Sequence, residues 1–180
     1  MNPLILKPIG IIHSPFRQAA ETPIQSAMAK DAEGAVELFP EFTPALLDLE
    51  GFDRIWLLYW FDRSAASRLV VKPFLDTIEH GVFATRSPCR PNPLGISCVR
   101  LLSVEGHRLR IGEPDILDQT PLLDIKPYVP AFDCFKVKRI GWLADKTRDC
   151  VLADDRFEKN APAPSCDGSA NQPRQFQHET

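Results

Sequence analysis

The stretch that decides the fold is residues 97–111, SCVRLLSVEGHRLRI, which has the pattern of two strands joined by a tight turn. The first arm, Ser97–Val104, is mostly apolar, and the Glu-Gly-His sequence that follows is typical of a hairpin turn. In the second arm, Leu109 and Ile111 alternate with two arginines, which is the period-two pattern of a half-exposed strand. A β-hairpin is therefore predicted at this point in the chain.

Other short segments on both sides of this hairpin also have the composition of strands. They are Leu4–His13, Ala35–Phe39, Arg54–Phe61, Gly81–Thr85 and Leu122–Ile125. The third segment is aromatic and almost continuously apolar, so we expect a central strand that is buried on both faces. Thr43 can cap a short helix that begins at Pro44 and ends at Gly51. Many short strands with few helices predict a mainly β fold, either a sandwich or a barrel.

The composition indicates one domain followed by a polar tail. The chain has 180 residues, of which 44% are hydrophobic and 25% are charged, and its formal net charge is −3. The 17 prolines disfavour a helical bundle, because proline interrupts helices, and they suit short strands joined by stiff loops. Apolar residues nearly vanish after residue 158. We therefore expect residues 1–158 to form the domain and residues 159–180 to be a disordered tail.

Several kinds of protein are disfavoured by what the sequence lacks. The five cysteines include no Cys-x-x-Cys pair and the four histidines lie far apart, so we expect neither a metal site nor a disulfide framework. No apolar run reaches the roughly 18 residues of a membrane span and no signal-peptide pattern is present, which predicts a cytoplasmic protein without membrane contact. Glycine-rich dinucleotide and phosphate motifs are also missing, which disfavours a Rossmann-type cofactor domain.

The most unusual stretch is residues 84–95, ATRSPCRPNPLG, which holds three prolines within six residues. Each proline fixes its own φ and pushes the preceding residue toward extended geometry, so the loop is shaped before any ligand arrives. Arg86 and Arg90 project from this stiff loop, and the rigid, permanently charged fork of arginine suits carboxylates and phosphates. Two interpretations stay open: a preorganised binding loop, and a rigid surface turn with solvated arginines.

A second candidate stretch, residues 115–128, sets acidic residues and a lysine among apolar residues. Asp124 and Lys126 are two apart on a predicted strand, so their side chains should share one face, either as functional groups or as a structural ion pair. Asp118 falls in a predicted turn, where aspartate commonly bonds the local backbone. Basic residues also cluster within 86–112 and 134–148, a pattern found both in RNA contacts and in plain solvated faces.

Four segments of the chain resemble the TsaA-like family, which includes bacterial tRNA (adenine(37)-N6)-methyltransferases. They are residues 9–16, 51–58, 81–95 and 117–128, and they occur in the family's order. The resemblance implies a mainly β fold, a small closed β-barrel with short helices and long loops. It also implies S-adenosylmethionine as the cofactor, a homodimer, and tRNA as the partner, methylated on N6 of threonylcarbamoyl-adenosine at position 37.

Carried over by position, the family's cofactor contacts fall on separate short stretches of this chain. They are Pro23, Ile24, Gln25, Asp62, Arg63, Arg86, Ile96, Leu117, Asp118, Gln119 and Thr120. Three of these stretches depart from the usual family pattern. Ile24 stands where an arginine is common, Asp62-Arg63 replaces a His-Gln pair, and Gln119 replaces a turn glycine.

The chemistry of methyl transfer suggests roles for the candidate side chains. S-adenosylmethionine carries its own activated methyl group, so the protein mainly has to align the acceptor nitrogen and exclude water. We expect Asp118, Gln25 and Arg86 to hold the cofactor. We expect Arg90 or Lys126 to bind a carboxylate or phosphate of the substrate. The predicted catalytic residues are Asp124, Lys126 and Tyr128, because a base or polarising group near the acceptor nitrogen would assist proton removal.

Other functions stay open beside a tRNA methyltransferase. The departures at Ile24, Asp62 and Gln119 are compatible with a non-catalytic module that binds S-adenosylmethionine. The modest basic content is compatible with a methyltransferase that acts on a small molecule or a protein. A purely structural interaction protein is least favoured, because such a protein rarely needs a stiff polar loop.

Overall fold

The computed structural model describes residues 4–146 and 152–159. The strands in this part of the chain are β1 (Gly10–His13), β2 (Glu33–Leu38), β3 (Arg54–Trp60), β4 (Val70–Val71), β5 (His80–Gly81), β6 (Leu94–Glu105), β7 (Arg108–Gly112) and β8 (Thr120–Pro127). One α-helical turn, α1, spans Pro130–Asp133. Short 3-10 segments lie at Ala19–Glu21, Ser26–Met28, Pro40–Leu46, Leu49–Gly51, Val82–Ala84, Gly141–Leu143 and Asp155–Phe157.

Six of the strands close into a barrel in the order β1-β2-β7-β6-β3-β8, and every neighbouring pair is antiparallel. Closure pairs each strand on both sides and so removes the exposed edges of an open sheet. The two remaining strands, β4 and β5, pair with each other outside the barrel. The mainly β fold with a small closed barrel, short helices and long loops, which the resemblance implied, is confirmed.

The barrel interior is filled by aliphatic side chains. Those without any solvent exposure are Ile12, Val36, Ile55, Leu57, Val99, Leu109, Ile111 and Leu122. Successive side chains of a strand point to opposite faces, so each strand contributes alternate residues to this core. Full burial of one such side chain stabilises the fold by about 1.5–3 kcal/mol, which makes the interior the main source of stability.

The predicted hairpin is present as β6 and β7, which pair across a turn at Gly106. Gly106 has φ of 60°, a left-handed conformation that glycine adopts without steric cost. Leu109 and Ile111 are buried, whereas Arg108 and Arg110 are exposed, as the alternation predicts. The sequence pattern therefore placed this part of the barrel wall correctly.

The prediction that β3 is buried on both faces is wrong, although the strand is central. It pairs with β6 on one side and β8 on the other. Ile55 and Leu57 point inward and are fully buried, whereas Trp56 is half-buried and Trp60 is 44% exposed. A closed barrel has a single interior, so only one face of each strand can reach the core.

Two other predicted strands also differ from the structure. The strand predicted over residues 4–13 begins only at Gly10, because Pro8 lacks the amide hydrogen that a ladder requires. The strand predicted over residues 81–85 is absent beyond Gly81, the last residue of β5, because Val82–Ala84 form a 3-10 turn. This turn leads directly into the stiff loop.

The helix predicted over residues 44–51 is also wrong. The chain forms two 3-10 segments there, Pro40–Leu46 and Leu49–Gly51. Asp48 between them has φ of 66°, a left-handed conformation that interrupts a continuous helix. Thr43 does not cap a helix, because its hydroxyl donates to the carbonyl of Pro40 at 2.8 Å.

A flanking layer covers one side of the barrel. Val71, Val82, Cys89 and Phe157 form its apolar cluster, against which Phe74 packs. Isolated β-bridges fasten the segment 152–158 to this side, one from Leu152 to Pro23 and one from Glu158 to Ser64. The layer and the barrel wall together form the sides of a cleft.

Three further predictions concern features outside the barrel. The predicted tail, residues 159–180, lies outside the described residues apart from Lys159, so the domain boundary stays a prediction. Within residues 4–146 and 152–159, no helix is both long and apolar enough to cross a membrane. The same residues contain no group of three or more His, Cys, Asp or Glu side chains arranged for a metal ion.

Candidate cofactor-binding cleft

The cleft opens between the barrel and the flanking layer. It contains about 1010 Å³ of space between atoms, counting its open mouth. Its lining residues come mainly from the segments 19–25, 59–64, 86–96, 115–120 and 153–158. Most of the lining surface is apolar, and a few polar groups converge on it, as is usual for binding sites.

The structure brings most of the predicted cofactor contacts to this cleft. Those that line it are Pro23, Ile24, Gln25, Asp62, Arg63, Arg86, Ile96, Leu117 and Thr120. Asp118 and Gln119 lie next to the lining without being part of it. The Asp118 carboxylate accepts from the Ser14 amide at 3.2 Å, and the Gln119 side chain reaches the His13 ring at 3.1 Å.

Arg63 connects two sides of the cleft. Its Nη2 donates to the carbonyl of Asp118 at 2.8 Å and to the hydroxyl of Thr120 at 2.9 Å. Its Nε is buried and lies 3.4 Å from the carboxylate of Asp62, yet it has no hydrogen-bond partner among the described residues. A residue that lines the cleft therefore has an unused N–H donor.

The turn before β8 keeps its shape without the glycine that the family usually has there. Gln119 has φ of 65°, in the left-handed region that glycine occupies without strain. The Thr120 hydroxyl donates to the Leu117 carbonyl at 2.7 Å and closes the turn. The turn is therefore closed with glutamine at position 119, where the family usually has glycine.

The stiff loop carries two arginines that line the cleft. Arg86 is exposed, and its Nη1 donates to the side-chain oxygen of Gln25 across the cleft. Arg90 is half-buried, and its Nη1 donates to the carbonyls of Thr85 at 3.2 Å and Ser87 at 3.4 Å. Arg90 thus braces the loop from which Arg86 projects, so the loop has a fixed shape in the absence of a ligand.

Asp115 also lines the cleft, and the sequence analysis assigned it no role. Its Oδ1 is buried and has no hydrogen-bond partner in the described part of the chain. Burial raises the pKa of the Asp115 carboxyl to about 6, although the Ser97 hydroxyl and the Arg86 guanidinium act to lower it. In the sequence, Asp115 is marked only as a charged residue between the apolar residues Pro114 and Ile116. The structure shows that both of these neighbours are buried.

Tyr59 of β3 lies at the base of the cleft. Its hydroxyl is 3.0 Å from the Ser97 hydroxyl, and burial, together with the nearby Asp115 charge, raises its pKa far above the usual value. The phenol is therefore neutral at physiological pH. Its ring packs directly on Gly95, where an added Cβ would lie 2.1 Å from a ring carbon. Residue 95 is glycine because no side chain fits beneath this ring.

The predicted catalytic residues Asp124, Lys126 and Tyr128 do not line the cleft. Thr120, the first residue of β8, does line it, but six strand residues span about 20 Å, so Lys126 lies far away. The Lys126 Nζ is 2.7 Å from the Asp124 carboxylate, as expected for residues that share one face. Tyr128 packs edge-on against Trp56, with ring centroids 5.8 Å apart. Within one chain these residues are separate from the cleft, and their catalytic role stays a prediction.

A basic and aromatic segment lies beside the stiff loop. Every residue from 131 to 141 is exposed. Its basic and aromatic side chains are Phe132, Phe135, Lys136, Lys138 and Arg139. Trp142 anchors the end of the segment, because its Nε1 donates to the carbonyl of Ala84 at 2.8 Å, two residues before Arg86. The cluster predicted within 134–148 thus adjoins the loop that carries a predicted cofactor contact.

Comparisons with known proteins agree with this fold. A Pyrococcus abyssi protein named a probable S-adenosyl-L-methionine-binding protein is 54% identical over 149 residues, which are 83% of this chain and 81% of that protein. The Escherichia coli tRNA (adenine(37)-N6)-methyltransferase is 36% identical over 72% of this chain and 60% of the enzyme. The crystal structure of TrmO from Pseudomonas aeruginosa superposes with a TM-score of 0.65 at 39% identity.

The comparisons match most of this chain but a smaller share of the solved structure. The Pseudomonas aeruginosa structure matches 78% of this chain, and the match spans 63% of that protein. Residues 11–134 match the family model of the tRNA-methyltransferase O N-terminal domain. This range includes all eight strands except the first residue of β1, together with every predicted cofactor contact. The chain therefore belongs to the tRNA-methyltransferase O N-terminal domain family, the TsaA-like β-barrel methyltransferases.

Proposed function

We propose that this protein is an S-adenosylmethionine-dependent methyltransferase that modifies N6 of threonylcarbamoyl-adenosine at position 37 of tRNA. The observation that carries the proposal is the convergence of predicted cofactor residues, from separate stretches of the chain, on one cleft. Membership of the family supports the reaction class. Relatives named as tRNA (adenine(37)-N6)-methyltransferases, from Escherichia coli and Mus musculus, support the substrate.

The polar groups of the cleft fit the charges of the proposed cofactor. S-adenosylmethionine has a carboxylate, two cationic groups, a ribose and an adenine, and it supplies an activated methyl group when bound. Arg86 and the unused N–H of Arg63 suit its carboxylate, and the carboxylate of Asp62 suits its cationic groups or hydroxyls. The other proposed cofactor contacts are Pro23, Ile24, Gln25, Ile96, Leu117, Asp118, Gln119 and Thr120.

The chain contributes mainly alignment and the exclusion of water. The stiff loop and the Arg63 contacts fix the cleft before binding, so little ordering entropy is lost when ligands enter. Alignment of an acceptor with a reactive group lowers the barrier by converting a bimolecular encounter into a unimolecular step. Arg90 is the proposed contact for the substrate's threonyl carboxylate, because it lines the cleft beside Arg86.

The exposed segment 131–141 supports an RNA substrate. Its lysines and arginine suit phosphates, and its phenylalanines suit unstacked bases of a tRNA loop. Trp142 anchors this segment next to the stiff loop, so an anticodon loop held there would lie close to the cleft. We propose Lys126 as a further phosphate contact, since its side chain is 60% exposed.

The proposal predicts that the protein methylates tRNA isolated from a strain in which threonylcarbamoyl-adenosine lacks the N6-methyl group. Purified protein, the cofactor and this tRNA would be incubated, and the nucleosides would be analysed by mass spectrometry. We expect the threonylcarbamoyl-adenosine to gain one methyl group. Arg108→Ala, on the exposed face of β7 away from the cleft, is a matched control that should stay active. Absence of the methylated nucleoside with wild-type protein would contradict the proposal.

A second candidate is a module that binds the cofactor without catalysis. The names of its archaeal relatives, which mention only S-adenosyl-L-methionine binding, and the departure at Ile24 favour it. Calorimetry with the cofactor, followed by a radioactive methyl-transfer assay on bulk RNA, protein and small molecules, separates the possibilities. Binding without transfer supports the module, whereas label outside RNA supports a methyltransferase with another substrate.

We also propose that the protein acts as a homodimer in the cytoplasm, where its tRNA substrate occurs. A dimer would cover exposed apolar side chains such as Leu4, Phe83 and Phe132, which are 71–85% exposed in one chain. It would also offer a way for the distant residues Asp124 and Tyr128 to approach a cleft. Light scattering should give a mass of twice 20.2 kDa, and a mass of 20.2 kDa would contradict the dimer.

A further inference from the structure

The Asp115 carboxylate is the least satisfied acidic group of the cleft. Its Oδ1 is buried and unpartnered among the described residues, and the residue lines the cavity. A buried polar atom without a partner lowers the stability of the fold, so native structures contain few of them. A ligand that places an N–H group against Oδ1 would provide the missing donor.

The neighbouring acids differ from Asp115 in their surroundings. Asp62 lies 3.4 Å from the Arg63 Nε, and the Asp118 carboxylate accepts from the Ser14 amide and lies 3.7 Å from the His13 ring. Neither carboxylate combines burial, a position in the lining and an unpartnered oxygen. Asp115 therefore differs from Asp62 and Asp118, the two acids at positions where the resemblance implies cofactor contacts.

The surroundings of Asp115 suit a group that exchanges a proton. The groups that face it are the Arg86 guanidinium from the stiff loop, the Ser97 hydroxyl from β6, the neutral Tyr59 phenol from β3 and the Ser26 backbone amide. They stabilise the anion incompletely, since burial outweighs them and leaves the pKa of the carboxyl near 6. Such a carboxylate is deprotonated at pH 7.5 and basic enough to accept a proton.

We propose that Asp115 is the catalytic base that accepts the proton from the methylated nitrogen. This inference rests on the proposed function, in which the acceptor is a carbamoylated N6–H. During transfer, the bond from the acceptor nitrogen to the methyl carbon forms and the bond from that carbon to sulfur breaks, which leaves the sulfur neutral. The N6 proton moves to Oδ1 of Asp115 and then leaves through the open mouth of the cleft.

The test compares Asp115→Asn with wild-type protein and with Asp53→Asn, an exposed acid outside the cleft. Single-turnover methylation by Asp115→Asn should fall at least about 100-fold at pH 7.5, because general base catalysis typically contributes this much. Cofactor dissociation constants from calorimetry should stay within about threefold of wild type, since the interaction is made in the transition state. Circular dichroism would verify that each variant is folded, and Asp115→Glu should recover part of the rate.

The pH dependence gives a second readout. The wild-type rate should fall as the pH drops through about 6, since the base becomes protonated, and Asp115→Asn should lose this limb of the profile. Full activity of a folded Asp115→Asn protein would overturn the inference alone. A loss of turnover matched by an equal loss of cofactor affinity would also overturn it, because Asp115 would then hold the cofactor. A wild-type protein that binds the cofactor and methylates no tRNA would refute the proposed function as well.

Discussion

The barrel interior and the cleft are both buried, but they contain different chemistry. In the interior, Ile55, Leu57 and Val99 have no solvent exposure and no polar side-chain atom that needs a partner. In the cleft, Asp115 and Arg63 each have a buried polar atom without a hydrogen-bond partner within the described residues. Unpaired buried polar groups destabilise a protein, whereas packed aliphatic side chains stabilise it. The comparison indicates that the interior stabilises the fold, whereas the polar groups of the cleft lower its stability and form a ligand site.

The largest expected effect on stability is in the interior. Leu57→Ala should lower the free energy of unfolding by about 3 kcal/mol, because it removes buried methyl groups and leaves a cavity. Urea unfolding would measure this change. Leu47→Ala is the matched control, since Leu47 is 81% exposed and should change stability little. Equal losses for the two variants would contradict the distinction between interior and surface.

A substitution at Asp115 in the cleft should raise the free energy of unfolding instead of lowering it. The folded-state pKa of Asp115 is about 6, whereas the unfolded value is roughly 3.9. Folding therefore favours the protonated carboxyl, and this contribution to stability is complete below pH 4 and is lost as the pH rises through 6. Asp115→Asn carries no charge at any pH. It should therefore be more stable than wild type at pH 7.5, by about 2 kcal/mol, with a smaller gain at pH 4.

Urea unfolding at both pH values measures the effect of Asp115→Asn. Asp53→Asn serves as the control, because Asp53 is exposed. A destabilised Asp115→Asn protein at pH 7.5 would mean that the carboxylate is well satisfied in the fold. The contrast between cleft and interior would then fail.

A substitution at Arg86 should change cofactor affinity and not the stability of the fold. Arg86→Ala should weaken cofactor binding by roughly 10- to 100-fold, the range for a lost hydrogen bond to a charged group, and should leave the melting temperature unchanged. Calorimetry and thermal unfolding measure the two quantities. Arg108→Ala removes the same charge from an exposed position of β7 that does not line the cleft, and it should change neither. Unaltered affinity in Arg86→Ala would exclude Arg86 as a cofactor contact.

The smallest expected effect is at the turn before β8. Gln119→Gly should raise stability by about 0.5–1 kcal/mol, since glycine tolerates φ of 65° without the penalty of a side chain. Part of this gain is offset by loss of the contact with His13 at 3.1 Å. Urea unfolding measures the change, and a loss above 1 kcal/mol would show that the Gln119 side chain supports the turn.

The sequence predicted the parts of the molecule that depend on local patterns. The alternation of Leu109 and Ile111 with arginines located β7, and Gly106 located its turn. The helix over 44–51 failed because Asp48 adopts a left-handed conformation, which the pattern of capping residues did not indicate. The burial of only one face of β3 follows from closure of the barrel, which depends on all six strands together.

The candidate site shows the same limit. The spacing of three prolines indicated the stiff loop and its two arginines, and the family resemblance added the cofactor role of Arg86, because these residues form a contiguous and specific motif. No sequence motif marks Asp115, because its environment is assembled from Ser26, Arg86 and Ser97, which are distant in sequence. The separation of Lys126 from the cleft likewise follows from the length of β8 and not from any motif.

The most direct test of the central claim is a crystal structure of the protein with S-adenosylmethionine. We predict that the cofactor lies in the cleft between Gln25, Arg63 and Arg86, and that the buried Arg63 Nε gains a hydrogen bond. Cofactor bound elsewhere on the barrel, with the Arg63 Nε still unpartnered, would contradict the account.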